Sequence, residues 1–152
     1  MDHPAMTEEE MRADRTRRLV TRFYERLWNA WDDEAVDGTL ADDFEFRGSL
    51  GDRTASRDAW RRYRDRIREG SQDFRNEVRE LIVSGDRAAV RLRYTGTHSG
   101  RLLGIEPTGR RFTYAGAAFF LASEDRLASA WVLGDLAGLR AQLEGSAAGR
   151  ER

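Results

Sequence analysis

The chain has no cysteine and no lysine; all 26 of its basic residues are arginine. Without thiols there is no disulfide, no thiolate nucleophile and no cysteine zinc site. Without a lysine amine there is no Schiff base to a substrate or to pyridoxal phosphate, and arginine is too basic to stand in for it. Carbanion chemistry on this chain must therefore run by general acid and base, with no cofactor. Histidine is almost missing too: His98 is the only one beyond the N-terminal residue His3, and no HxH, HxxxH or HxxE spacing occurs, so no metal is expected. Net charge is −1 although charged residues make up 35% of the chain, which lacks the basic excess of a nucleic-acid module. No apolar run reaches bilayer length and no signal-peptide pattern opens the sequence, so a soluble, cytoplasmic protein without a membrane partner is expected.

What is present fits one domain. At 152 residues the chain can bury well over half of its unfolded surface. Residues 1–6 read as disordered, 7–144 as a single domain and 145–152 as a frayed tail. Thr7 and Glu10 have the spacing of a capping box, and Leu19, Val20, Phe23, Leu27 and Trp31 recur at helical spacing, predicting one long amphipathic helix to about residue 31. A short helix is expected over 33–40 and a strand over 43–47 with Phe44 and Phe46 on one side. Ser56 caps a helix that carries Trp60, Tyr63 and Ile67 inward and ends at Gly70. Within that helix Arg57, Arg61, Arg62, Arg64, Arg66 and Arg68 alternate with Asp58, Asp65 and Glu69, the pattern of a solvated, ion-paired face. Strands follow over 73–83, 88–99, 111–122 and 127–133, joined by Gly85-Asp86, by Glu106-Pro107-Thr108-Gly109 and by Glu124-Asp125, and a helical turn or two over 136–143 closes the chain. Helices first and long strands afterwards indicate an α+β fold whose curved, mixed or antiparallel sheet wraps around the N-terminal helices and leaves a conical cavity.

Two residues could carry chemistry. His98 shares strand parity with Val90, Leu92 and Tyr94, so its imidazole could polarise a carbonyl in a pocket or only hydrogen-bond a backbone carbonyl at a strand end. Asp135 shares parity with Leu127, Ser129, Trp131 and Leu133. It is either a desolvated general base at the end of an apolar stripe or the N-cap of the last helix, and the two roles pull its proton affinity in opposite directions. Tyr24, Trp28, Trp60, Tyr63, Tyr94, Tyr114, Phe119 and Trp131 are the candidate substrate-binding set. Core packing accounts for much of such a set, but the excess of Tyr and Trp over Phe favours a cavity for a flat, partly polar small molecule.

The string from Asp86 through Gly96-Thr97-His98-Ser99-Gly100, then Gly104-Ile105-Glu106-Pro107-Thr108-Gly109-Arg110-Arg111, then Trp131, Asp135, Leu139 and Gln142-Leu143 resembles the SnoaL-like polyketide cyclases of the nuclear transport factor 2-like superfamily. Phe23-Tyr24 and Ala41-Asp42-Asp43-Phe44 fit as well, so the resemblance covers residues 15–143. It implies a cone-shaped α+β barrel, usually a homodimer, whose cyclase members close the last ring of aromatic polyketides by cofactor-independent intramolecular aldol condensation. By the same resemblance Asp135 is the proton acceptor and donor, and His98 stabilises the developing enolate oxygen. The chain departs from the family at Ser129-Ala130, where Glu and His are common, and at Leu121, where Arg is. Epoxide opening, which needs an Asp-Arg-Asp set for which Arg91 or Arg93 could supply the cation, and non-catalytic binding of a small ligand are the alternatives.

Overall fold

The computed structural model describes residues 5–145; the expected disordered start falls largely, and the expected tail almost wholly, outside them. The first helix, α1 (Glu8–Arg22), begins at the reciprocal Thr7 and Glu10 capping box. It does not continue as an α-helix to residue 31. Phe23–Asn29 is wound as a π-helix, with Ala30 N donating to Glu25 O and Asp32 N to Arg26 O. Phe23, Tyr24, Leu27 and Trp28 of this segment are all buried, the face that helical spacing gives them. Trp31 ends the segment at φ 57°, a left-handed conformation costly for a bulky residue. A 3-10 turn (Asp33–Ala35) and the short α2 (Val36–Thr39) lead into the sheet.

Six strands form one sheet in the order β2-β1-β6-β5-β4-β3: β1 (Leu40–Arg47), β2 (Arg53–Thr54), β3 (Arg75–Ser84), β4 (Arg87–Thr97), β5 (Arg111–Ser123) and β6 (Arg126–Gly134). All neighbours are antiparallel except β1 and β6, which run parallel. β2 is too short to announce itself in the sequence. Between β2 and β3 lies α3 (Arg57–Gly70), capped by Ser56 Oγ on Ala59 N, and α4 (Leu136–Glu144) closes the chain. The mixed α+β architecture, a curved sheet with the N-terminal helices on its inner side, is the one expected.

Two bulges set which side chains face the helices. In β6, Ala122 pairs with Leu127 but Leu121 pairs with Ser129, so Ala128 is an extra residue. Parity reverses there: Leu127 is buried, and beyond the bulge Ala130 and Val132 are buried while Trp131 and Leu133 are exposed. A second extra residue, Arg79, lies in β3 between the Val78 and Glu80 pairs.

The helix layer is fastened by one buried cation. Arg64 is fully buried, against the expectation of a solvated face for the whole arginine run. Its guanidinium donates to Leu27 O at 2.9 Å, a π-helix carbonyl, pairs with Asp33, and lies 4.4 Å from the Trp31 ring centroid and 5.4 Å from that of Trp60. Removing one partner of a buried charge-assisted network is costly because the others lose their compensation. Arg64→Ala is expected to lower unfolding free energy by about 3 kcal/mol. Arg62→Ala, on the exposed side of the same helix, should stay within about 0.5 kcal/mol, both read by urea titration.

Candidate functional site

All four tyrosines of the chain converge on the hollow between sheet and helices. Its walls include Phe23, Tyr24 and Trp28 from the π-helix, Tyr63 and Ile67 from α3, Phe46 from β1, Val132 from β6, Asn76 and Tyr94 from β3 and β4, and Phe74 and Ser49 from loops. Between these walls the centre of a water molecule can reach about 20 Å³. That is room for about one water, so a multi-ring ligand enters only if side chains move.

The polar atoms form two groups. Ser49 Oγ lies 3.1 Å from the Tyr114 hydroxyl and is near that of Tyr63, so three hydroxyls gather at one end. On the opposite wall Asn76 is 3% exposed and its Nδ2 has no partner among the described residues. Its backbone is held by Asn29, whose side chain donates from Nδ2 to Asn76 O at 2.8 Å and accepts from Asn76 N at 2.9 Å. Tyr94 stacks on Phe74 and meets Tyr114 at 4.7 Å between centroids. No carboxylate and no imidazole lines the hollow among the described residues, nor do three His, Asp or Glu side chains converge anywhere among them as a metal would need.

The two residues expected to carry chemistry are elsewhere. Asp135 is exposed and caps α4, its Oδ1 accepting from Gly138 N at 3.0 Å; of the two readings left open by the sequence, the cap is the one observed. The bulge at Ala128 is the reason, because it shifts the strand that was to carry Asp135 inward onto the opposite parity. His98 is inward and fully buried, as parity with Tyr94 requires, but both nitrogens are occupied. Nδ1 accepts from Thr108 N at 3.2 Å with Thr108 Oγ1 at 3.0 Å, and Nε2 therefore carries the proton and donates to Ile105 O at 3.1 Å. The imidazole staples the 99–110 loop. Gly100, whose added Cβ would sit 1.8 Å from Glu69 O, lets that loop close over the end of α3. The string around His98 and Thr108 is thus a docking device for a loop.

The aromatic set divides. Tyr24, Trp28, Tyr63 and Tyr94 line the hollow, and Tyr114 reaches it through Ser49. Trp60 is core, packed behind Phe23, Phe46 and Trp28. Phe119 and Trp131 are on the outer face, 51% and 42% exposed, so neither lines the hollow. Arg91 and Arg93 also face outward, against Glu80 and Glu77, and no Asp-Arg-Asp set forms in the hollow. Sequence reasoning missed Ser49 and Asn76. Ser49 sits in an unpatterned loop, and Asn76 occupies an inward position that β-strand alternation would have flagged only as a polar misfit.

A family model described as SnoaL-like polyketide cyclase matches residues 18–143. The chain belongs to that family. Solved structures agree in fold. A candidate SnoaL-like polyketide cyclase from Jannaschia sp. CCS1 superposes with a TM-score of 0.79 at 18% identity, covering 93% of this chain and 97% of the other. IdmH from Streptomyces antibioticus, a candidate polyketide cyclase, gives 0.74 at 23% identity over 85% and 98%. AclR from Streptomyces galilaeus, a candidate hydroxylase, gives 0.74 at 21% identity over 89% and 84%. No curated protein matches by sequence.

In this SnoaL-like chain the four hydroxyls share one electrostatic fate. Burial pushes Tyr24, Tyr63, Tyr94 and Tyr114 well above the ordinary value of 10.0; neighbouring tyrosines push Tyr94 and Tyr63 further, and hydrogen bonds from Ser49 partly offset the rise in Tyr63 and Tyr114. They are hydrogen-bond donors at any physiological pH. Because each folded-state value is raised above the unfolded one, the stability that the protonated forms contribute is complete below about pH 10 and is lost as pH climbs beyond it. In an alkaline titration, tyrosinate absorbance should therefore appear only together with collapse of the near-ultraviolet circular dichroism. Ionisation near pH 10 with the dichroism intact would contradict the burial of these groups.

Proposed function

We propose that this protein takes a flat, polyketide-like molecule bearing carbonyl or phenolic oxygens into the tyrosine-lined hollow and promotes its ring closure by an intramolecular aldol-type reaction, using neutral donors instead of a carboxylate base. The reading is carried by the convergence of the tyrosine hydroxyls, Ser49 and the unpartnered Asn76 amide on an otherwise apolar cavity. Membership of a polyketide cyclase family supplies the reaction class.

The chemistry follows from what the walls offer. A carbon between two carbonyl groups is acidic enough to enolise without a strong base. The enol carbon attacks a second carbonyl of the same molecule, one C–C bond forms, and the carbonyl oxygen becomes an alkoxide that takes up the enol proton; no atom is gained or lost. A donor aimed at the oxygen that acquires charge lowers that barrier most in a dry site. Asn76 and Tyr94 on one wall serve that role, and the gathered Tyr63, Ser49 and Tyr114 provide hydroxyls through which the proton can pass. The apolar walls hold the chain of the substrate folded, so that the reacting carbons meet.

With a ring-open aromatic β-diketone as substrate, Asn76→Leu and Tyr94→Phe are each expected to reduce kcat/KM by about tenfold or more. Asp135→Asn, which keeps a capping side chain, should leave it unchanged. Loss of turnover in Asp135→Asn with full activity in the other two variants would overturn the proposal. Binding without turnover in the wild type would instead favour a ligand-binding role, a second reading supported by the lack of a carboxylate in the hollow.

We also propose that the chain pairs with a second copy through the outer face of β5 and β6. Phe119, Trp131 and Leu133 form an exposed apolar patch there, with Phe119 and Trp131 rings 6.2 Å apart, and a net charge of −1 opposes self-association little. Sedimentation should give a dimer for the wild type and a monomer for Trp131→Glu combined with Leu133→Glu; a monomeric wild type would rule the pairing out.

A further inference from the structure

The hollow has a neighbour on the surface. A recess of about 230 Å³ lies between the end of the π-helix and the segment joining α3 to β3, and it shares Trp28 and Phe74 with the hollow. Those two rings, 5.8 Å apart, are the partition between the recess and the interior. Phe74 is the half-buried one and stacks on Tyr94 at 18° between planes, the place a flat ligand ring would take if Phe74 swung outward.

Arg68, Gln72 and Arg75 line the recess. Neither arginine has a carboxylate within 4 Å among the described residues; Glu77, which feels the charge of Arg75, is bound to Arg79 and Arg93. Arg68 lies 4.5 Å from the Trp31 ring centroid, and Trp31 has a left-handed backbone beside the buried Arg64, so the Arg68 guanidinium is held against that ring. The one acid on the recess wall, Asp73, is already engaged. It accepts from Thr97 N at 2.7 Å, Thr97 Oγ1 at 2.8 Å and Ser71 Oγ at 3.1 Å, and Arg111 stands at 3.6 Å. Asp33 and Asp65, in the adjoining recess, are paired with Arg64; Glu69 lies there too, on the far side of Arg68.

We infer that this recess is an anion-reading entrance: the ligand is an aromatic acid whose carboxylate sits on Arg68 and Arg75 while its ring system passes Trp28 and Phe74 into the hollow. Two guanidinium groups with no close carboxylate of their own, at the mouth of an uncharged, aromatic cavity, match such a molecule and do little for a neutral ester. The inference rests on the reading of the hollow as a ligand site and adds the charge of the ligand to it.

The test is calorimetric titration of the full chain with naphthoate and with its methyl ester, which share one ring system and differ in charge. Naphthoate is expected to bind about tenfold tighter, in line with a charge-assisted contact, and the preference should shrink with added salt. Arg68→Gln combined with Arg75→Gln should abolish the preference and leave affinity for the ester unchanged. Equal affinity of the two compounds for the wild type, or a preference that survives in the double variant, overturns the entrance and leaves the hollow standing. Binding of neither compound overturns both.

Discussion

One supernumerary residue in the last long strand, Ala128, decides what the interior of this protein can do. By reversing the parity of β6 it turns Ala130 and Val132 inward and sends Trp131 and Leu133 outward. The carboxylate that follows them meets solvent and the N-terminus of α4. Among the described residues the hollow is left without an ionisable group other than tyrosine, and burial holds those tyrosines protonated. The interior can therefore donate hydrogen bonds, but it has no ready acceptor for a proton from carbon. Chemistry that fits such walls stabilises charge appearing on an oxygen of the substrate, and leaves the acidity to the substrate itself.

The π-wound segment is the second half of the same design. It supplies Phe23, Tyr24 and Trp28 to the hollow, and its altered ladder leaves Leu27 O for Arg64 and places Asn29 where it can grip the backbone of Asn76. The price of that winding shows in Trp31, whose left-handed backbone is stabilised by two guanidinium groups on its ring. The helix side of the hollow and of the entrance is in this way set by residues 23–31 and by the helix α3 that packs on them.

Much of the architecture was legible because it follows from local rules. The Thr7 capping box, the Ser56 cap, the inward stripe of Trp60, Tyr63 and Ile67 and the boundaries of β3 to β6 are found within a residue or two of their expected places, while β1 begins three residues earlier than expected. Family membership was legible in the strings around His98, Thr108 and Asp135, and the family match bears it out. The site was legible only in part. Tyr24, Trp28, Tyr63 and Tyr94 lie where an inward stripe puts them, but period-two reasoning cannot see a bulge, which depends on the partner strand. For that reason Trp131 and Asp135 were read onto the wrong face, whereas Phe119 lies in β5, whose unbroken alternation already sets it opposite to Tyr114. His98 was read onto the right one, yet its partners, Ile105 and Thr108, come from a loop that folds back on it. The strings that identify the family thus hold a loop and a helix cap in place and carry Tyr24 and Tyr94 to the hollow, while Ser49 and Asn76 lie outside them.

Nuclear magnetic resonance offers the most direct measurement of where a ligand meets this protein: ring-carbon signals of labelled tyrosine, the Asn76 side-chain amide, the Gly138 backbone amide and the His98 ring, followed while a flat aromatic ketone is added. The account predicts shifts at the tyrosines and at Asn76, with Gly138, capped by Asp135, and His98 unmoved. Shifts confined to Gly138 and His98, with the tyrosines and Asn76 silent, would contradict it.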